Sequence, residues 1–231
     1  FLINQAISKK INKNKKDFNF ENPLMRLIWI AAILCLSVSF FMSHLLLGDL
    51  PNTTLWWKLA IIISCGTLAA VLIPEFTKLF TSLKSNHVQE IVTASREGGS
   101  SLNILEGIVT GYLSAFWTGL LIVGLMTIAY FTSEQGLVEI LGPHASIFAF
   151  GLVAFGFLCM GPVTIAVDSY GPVTDNAQSV FELSQIEQIP GISESIEKEF
   201  NFKPDFEVGK HFLEANDSAG NTFKATAKPV L

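Results

Sequence analysis

Two short stretches of this chain carry residue types that could do chemistry at a spacing that could bring them together. The first is Asp168-Ser169-Tyr170-Gly171-Pro172-Val173-Thr174-Asp175-Asn176-Ala177. Its two carboxylates are seven residues apart, a spacing that places them on one face of a helix. Gly171-Pro172 between them would break or bend that helix. Carboxylates with a neighbouring amide suit a hard cation such as Mg²⁺, which takes a few protein oxygens and completes its shell with water and phosphate. A capped helix running into a loop accounts for the same residues, and both readings stay open on this stretch alone.

The second stretch is Asp217-Ser218-Ala219-Gly220-Asn221-Thr222-Phe223-Lys224-Ala225-Thr226-Ala227-Lys228. At the helical period, Asp217, Asn221, Lys224 and Lys228 fall at roughly 0, 40, −20 and 20° around the axis. One narrow stripe thus carries a carboxylate, an amide and two ammonium groups. An anionic, metal-bound phosphate needs such a set: ammonium groups to neutralise it, and Asp and Asn to help hold its metal. The bland alternative is an exposed face with i,i+4 charge pairs, although the opposite face is small and apolar. A third candidate is Glu75, which follows Pro74 inside an apolar run. An ionisable residue at membrane depth marks an ion path by default.

These residues need elements to hold them, and the composition says which kind. Half of the 231 residues are apolar and only 15% are charged, against about 25% charged in soluble domains. The apolar residues gather in four runs long enough to cross a bilayer: residues 24–47, 55–80, 104–131 and 145–167. In lipid every backbone polar group must be satisfied within the segment, so these runs are expected to be helices. The fold class is therefore all-α, a polytopic bundle of four transmembrane helices plus the start of a fifth. The divisions are a basic segment over 1–23, a membrane domain over 24–170, a polar loop over 171–216 and a further helix beginning at 217.

Lys9, Lys10, Lys13, Lys15 and Lys16 precede the first run, Lys84 and Arg96 lie between the second and third, and Lys198, Lys203 and Lys210 follow the fourth. The other two loops have no Lys or Arg. By the positive-inside rule the basic loops face the cytoplasm, with Lys58 expected to snorkel to the opposite interface. Gly107, Gly111 and Ser114 form a small-residue packing face on the third helix. Glu106 is expected to favour a helix N-terminus, and His44 and His144 to be structural. Cys35, Cys65 and Cys159 have no metal spacing and are expected to be buried free thiols. The net charge of −5 gives no reason to expect nucleic acid as a partner.

The motif residues resemble a known family. Asp168 to Ala177 is similar to the Asp-x-Tyr-Gly-Pro-x-x-Asp-Asn-Ala motif of ion-translocating membrane pyrophosphatases. Asp217-Ser218-Ala219-Gly220-Asn221-Thr222 resembles that family's next motif. Ile73-Pro74-Glu75-Phe76-Thr77 and Asn103-Ile104-Leu105-Glu106-Gly107 resemble two further landmarks in the same order. The resemblance implies sixteen transmembrane helices per subunit in a homodimer, and Mg²⁺-dependent hydrolysis of pyrophosphate on the cytoplasmic side coupled to outward pumping of H⁺ or Na⁺. K⁺ is a second candidate ion.

On that basis Asp168, Asp175, Asp217 and Asn221 would serve the metal. Asn221, Lys224 and Lys228 would contact pyrophosphate, and Glu75 would lie on the ion path. Gln178-Ser179 stand where the family has Gly-Gly, and Lys224 stands where Ala is usual. The long loop after Asp175 resembles sodium-pumping members. The family's Asp-rich motifs are not in this chain, both ends of which read as cut. The piece alone is therefore expected to be inactive, since it lacks a general base pair to generate the nucleophile. The rival reading is a segment of a secondary transporter or channel that uses Asp168, Asp175 and Glu75 as an ion site without hydrolysis.

Overall fold

The computed structural model describes residues 1–12, 18–49 and 54–231; Lys13, Lys15 and Lys16 of the basic segment lie outside the described residues. Among these, the regular structure is helical: α1 (Leu2–Asn12), α2 (Glu21–Leu47), α3 (Leu55–Thr81), α4 (Asn86–Glu134), α5 (Val138–Leu141), α6 (Ala145–Leu158), α7 (Gly161–Asp168), α8 (Tyr170–Ser184), α9 (Ile192–Phe200) and α10 (Phe206–Ala227). Three stretches are long and apolar enough to cross a membrane, Glu21–Leu47, Leu55–Glu134 and Val138–Gln188. The second contains two helices, because the chain turns back at Ser82 to Ser85 and α4 packs along α3. The molecule is a polytopic all-α membrane bundle.

α3 is the hub. One side of it, through Ile62, Cys65, Ala69 and Ile73, packs on Leu125 and Ala129 of α4 and on Ala145, Ala149 and Val153 of α6. The other side, through Ala70 and Val71, meets Met25, Ile28 and Ala32 of α2, Val167 of α7 and Phe223 of α10. Small residues let the α3 and α6 backbones touch. A Cβ on Gly66 would lie 1.9 Å from the Val153 carbonyl oxygen, and one on Gly156 would lie 2.0 Å from that of Ile63. Gly66→Ala is therefore expected to destabilise the bundle by about 1–3 kcal/mol through overpacking. Thermal inactivation of the detergent-solubilised full-length protein checks this, and an unshifted midpoint would contradict the close crossing.

The structure departs from the sequence expectations at several points. The loop expected before Ile104 is largely helix: α4 starts at Asn86 and is interrupted by Gly99, whose φ of 62° and ψ of −151° are open to glycine. Glu106 consequently lies within α4, not at a helix start, and its carboxylate is not explained by a terminus. The fourth run is broken between Leu158 and Gly161, because Pro162 in the first turn of α7 cannot donate back to α6.

The fifth helix does not begin at Asp217. It begins at Phe206, where the Asp205 carboxylate accepts from the Val208 N–H at 3.0 Å and caps the helix. Asp217 is thus mid-helix. Lys58 does not snorkel: it is 8% exposed, and its ammonium donates to the Gln135 carbonyl at 2.7 Å. Gln135 ends α4, so the cation satisfies an orphan carbonyl and meets the negative end of the helix dipole. The small-residue face of Gly107 and Gly111 has no described neighbour within 4 Å, so this chain's own helices do not cover it. His44 stacks edge-on against Trp56, in keeping with a structural role. The three cysteines are free, but only Cys65 is buried; Cys159 is exposed.

Candidate functional site

α7 and α8 form one nearly continuous helical run, interrupted only at Ser169, whose φ of −61° and ψ of −19° are still right-handed helical. Pro172 does not end it. The proline falls in the first turn of α8, where its missing N–H leaves the Asp168 carbonyl without an i,i+4 donor and separates α7 from α8. The run therefore keeps Asp168 and Asp175 in helical register.

α8 lies against α10, and two glycines set their separation. A Cβ on Gly220 would fall 2.2 Å from Thr174 Oγ1 and 3.0 Å from Gly171 Cα, and one on Gly171 would fall 3.1 Å from the Gly220 carbonyl oxygen. Thr174 fits beside them because its hydroxyl turns back to donate to the Gly171 carbonyl at 2.9 Å. The Tyr170 hydroxyl donates to Asn216 Oδ1 and ties the two helices together one turn away.

This crossing brings the two motifs side by side. On α10, Ala219, Gly220, Thr222, Phe223, Thr226 and Ala227 are buried, whereas Asn221, Lys224 and Lys228 are exposed and Asp217 is half-buried. The small apolar face packs inward and the polar stripe is left accessible. Asn221 Nδ2 donates to Asp217 Oδ2 at 2.9 Å. The other carboxylate oxygen, Asp217 Oδ1, is buried with no hydrogen-bond partner. α10 lies outside the three membrane-crossing stretches. Burial pushes the Asp217 carboxyl above the usual carboxylate range, and the charges of Asp175 and Glu182 add to the rise. The Asn221 hydrogen bond and the Lys224 ammonium partly offset it.

Asp175, Asp217, Asn221 and Lys224 are thus electrostatic neighbours. Asp168, half-buried at the end of α7, has no contact placing it in that group. Lys228 lies one residue past the last helical residue of α10, exposed, on the same stripe. Among the described residues no three His, Cys, Asp or Glu side chains converge closely enough to hold a metal ion by themselves. Glu75 lies elsewhere, on α3, where its Oε1 accepts from Trp29 Nε1 at 2.8 Å.

Glu182, which falls in the stretch expected to be a polar loop, also raises the Asp217 carboxyl and so belongs with the acidic group. The signal was a second interval of seven: 168, 175 and 182 repeat along one helical face. Gln178 Nε2 donates to Glu182 Oε1 at 2.9 Å within that face. Trp29 and the Tyr170–Asn216 link left no comparable trace, since neither comes from a periodic pattern.

The fold and this polar crossing define a membrane-embedded helical protein with an acidic and ammonium-bearing face where two of its helices meet. A family profile described as inorganic H⁺ pyrophosphatase matches residues 2–231, and the chain belongs to that family. It is 57% identical over 232 residues to a K⁺-insensitive pyrophosphate-energized proton pump of Chlorobaculum tepidum, a match covering all of this chain and 31% of that protein. It is 26% identical over 185 residues, 80% of this chain and 26% of the relative, to a putative K⁺-stimulated pyrophosphate-energized sodium pump of Clostridium tetani. A K⁺-insensitive pyrophosphate-energized proton pump of Streptomyces coelicolor is 32% identical over 168 residues, 73% of this chain and 18% of its own length. The chain thus spans under a third of the relatives it matches.

Proposed function

We propose that this chain contributes one wall of the pyrophosphate site of a primary ion pump, which couples Mg²⁺-dependent hydrolysis of pyrophosphate to outward H⁺ transport and needs no K⁺. The observation that carries the reading is the α8–α10 crossing, where Asp217 Oδ1 is buried and unpartnered within the electrostatic reach of Asp175. A buried carboxylate oxygen without a donor is costly. A divalent cation would satisfy it, and the hard-oxygen donors here fit Mg²⁺. Two protein carboxylates are fewer than a closed metal cage requires, which suits a cation that keeps water and phosphate ligands.

In this reading Asp175 and Asp217 hold the metal, with Asn221 fixing the Asp217 carboxylate through its amide. Asp168 supports the same face from the end of α7. Lys224 and Lys228 direct ammonium groups to the phosphate oxygens. Asp175 and Asp217 would hold Mg²⁺ there, and the chemistry it would supply is neutralisation of charge on the pyrophosphate oxygens. The fixed positive charge of Lys224 offsets the acidic group. In this reading the face lies on the cytoplasmic side of a bacterial inner membrane, which the distribution of basic residues among the loops supports, Glu75 lies on the ion path, and the working unit is a homodimer. Proton rather than sodium transport follows the 57% identical relative over the resemblance of the long loop to sodium pumps.

The test is pyrophosphate-driven acidification of inverted vesicles holding the full-length protein, with Mg²⁺, Na⁺ and K⁺ varied in turn. Acidification that needs Mg²⁺ but neither Na⁺ nor K⁺ is expected. Hydrolysis without Mg²⁺, or transport that stops when Na⁺ is removed, would contradict the reading in its metal or its ion respectively.

A further inference from the structure

Glu75 and Lys78 are one helical turn apart on α3, the spacing at which opposite charges on a helix pair with each other. They make no ion pair. α2 takes each of them separately. Trp29 Nε1 donates to Glu75 Oε1 at 2.8 Å, while Glu21 Oε2 lies 3.4 Å from Lys78 Nζ. Glu21 is itself held in place: it is 9% exposed, the Ser82 hydroxyl lies 3.0 and 3.1 Å from its two oxygens, and its backbone N–H donates to Asn19 Oδ1 at 2.9 Å. Among the described residues no hydrogen bond reaches the second oxygen of Glu75. Both carboxylates and Lys78 line a cavity of about 730 Å³, shared with Ser82, Lys84 and His87.

We propose that Trp29 and Glu21 are positioning residues for the ion path. Together they keep the Glu75 carboxylate out of a salt bridge with Lys78, one oxygen fixed by the indole N–H and the other left for the transported cation. A carboxylate locked to Lys78 would have its charge neutralised and its lone pairs occupied, and could not exchange a proton or cation readily. The proposal rests on the reading that Glu75 lies on the ion path.

The test uses the full-length protein in sealed vesicles, with pyrophosphate hydrolysis and ion uptake measured in parallel. Trp29→Phe keeps a large ring and removes the N–H. Glu21→Gln keeps an acceptor for Ser82 but releases Lys78. Each is expected to lower ion uptake per pyrophosphate hydrolysed by about tenfold, the size of losing a hydrogen bond to a charged group, with the KM for pyrophosphate unchanged. Adding Lys78→Met to Glu21→Gln is expected to restore uptake, because the competing ammonium is gone.

Glu75→Gln serves as the reference. Normal uptake in that variant would refute the underlying place of Glu75. Loss of uptake in Glu75→Gln with normal uptake in both α2 variants would overturn the positioning roles. So would a loss of hydrolysis and uptake together in Glu21→Gln that Lys78→Met fails to reverse, since that marks a purely structural contact.

Discussion

Replacing Asp175 with asparagine in the full-length protein is expected to lower Mg²⁺-dependent pyrophosphate hydrolysis by about two to three orders of magnitude, the range for removing one preorganised charge or donor from a phosphoryl or acyl transfer site. The substitution keeps size and helix register but removes the charge that Asp175 brings to the proposed metal site beside α10. Asp175 is exposed and its side chain makes no hydrogen bond among the described residues, so stability should change by no more than about 0.5 kcal/mol. Phosphate release measured beside a thermal inactivation curve checks it. A collapse of activity with an unshifted curve is the expected pair of results; activity within twofold of the parent would remove Asp175 from the site.

The second large effect is expected at a residue with no chemistry of its own. Gly220→Ala puts a methyl group 2.2 Å from Thr174 Oγ1 and 3.0 Å from Gly171 Cα. Neither neighbour is the free end of a flexible side chain, so α8 and α10 must separate. Overpacking of this kind costs about 1–3 kcal/mol. A shift approaching 1 Å in groups that position a substrate can cost about a hundredfold in rate.

Gly220→Ala should therefore lose hydrolysis well beyond what its thermal shift explains. Gly66→Ala, at the α3–α6 crossing away from this face, should mainly shift the thermal midpoint. Removing the Thr174 hydroxyl and methyl with Thr174→Ala in the Gly220→Ala background should recover part of the activity, because the nearest clashing atom is gone. Equal effects of the two glycine substitutions on turnover would show that the α8–α10 spacing does not matter to the site.

Much of this architecture was legible in the residues, for identifiable physical reasons. Runs of apolar residues longer than the bilayer core leave helix as the one way to satisfy the backbone, so α2, α3 and the apolar part of α4 follow from composition. The α10 stripe was legible because helical periodicity is strong evidence when polar residues hold one face and small residues the other. What escaped notice depended on local backbone accounting. Pro162 and Pro172 both fall in the first turn of a helix, where a missing N–H matters least, so each interrupts the helical run without ending it.

The start of α10 is hard to read because Phe206 to Asn216 is too polar to look membrane-bound, whereas the Asp205 cap begins the helix there and only its later turns, from Ala219 on, are buried. The burial of Lys58 was invisible because its partner, the Gln135 carbonyl, is 77 residues away. The Trp29–Glu75 hydrogen bond, across 46 residues, escaped for the same reason. Long-range polar contacts leave no periodic trace.

The most direct measurement is calorimetric titration of a non-hydrolysable pyrophosphate analogue, with Mg²⁺ present, into the full-length protein and its Asp175→Asn and Asp217→Asn variants. If the α8–α10 face holds the metal and its anion, each variant should bind at least about tenfold more weakly, the loss of roughly 1.4 kcal/mol that one charge-assisted contact supplies. The double variant should lose less than the sum of the two, because both carboxylates serve one ion. Unchanged affinity in both single variants would show that metal and pyrophosphate bind elsewhere in the protein.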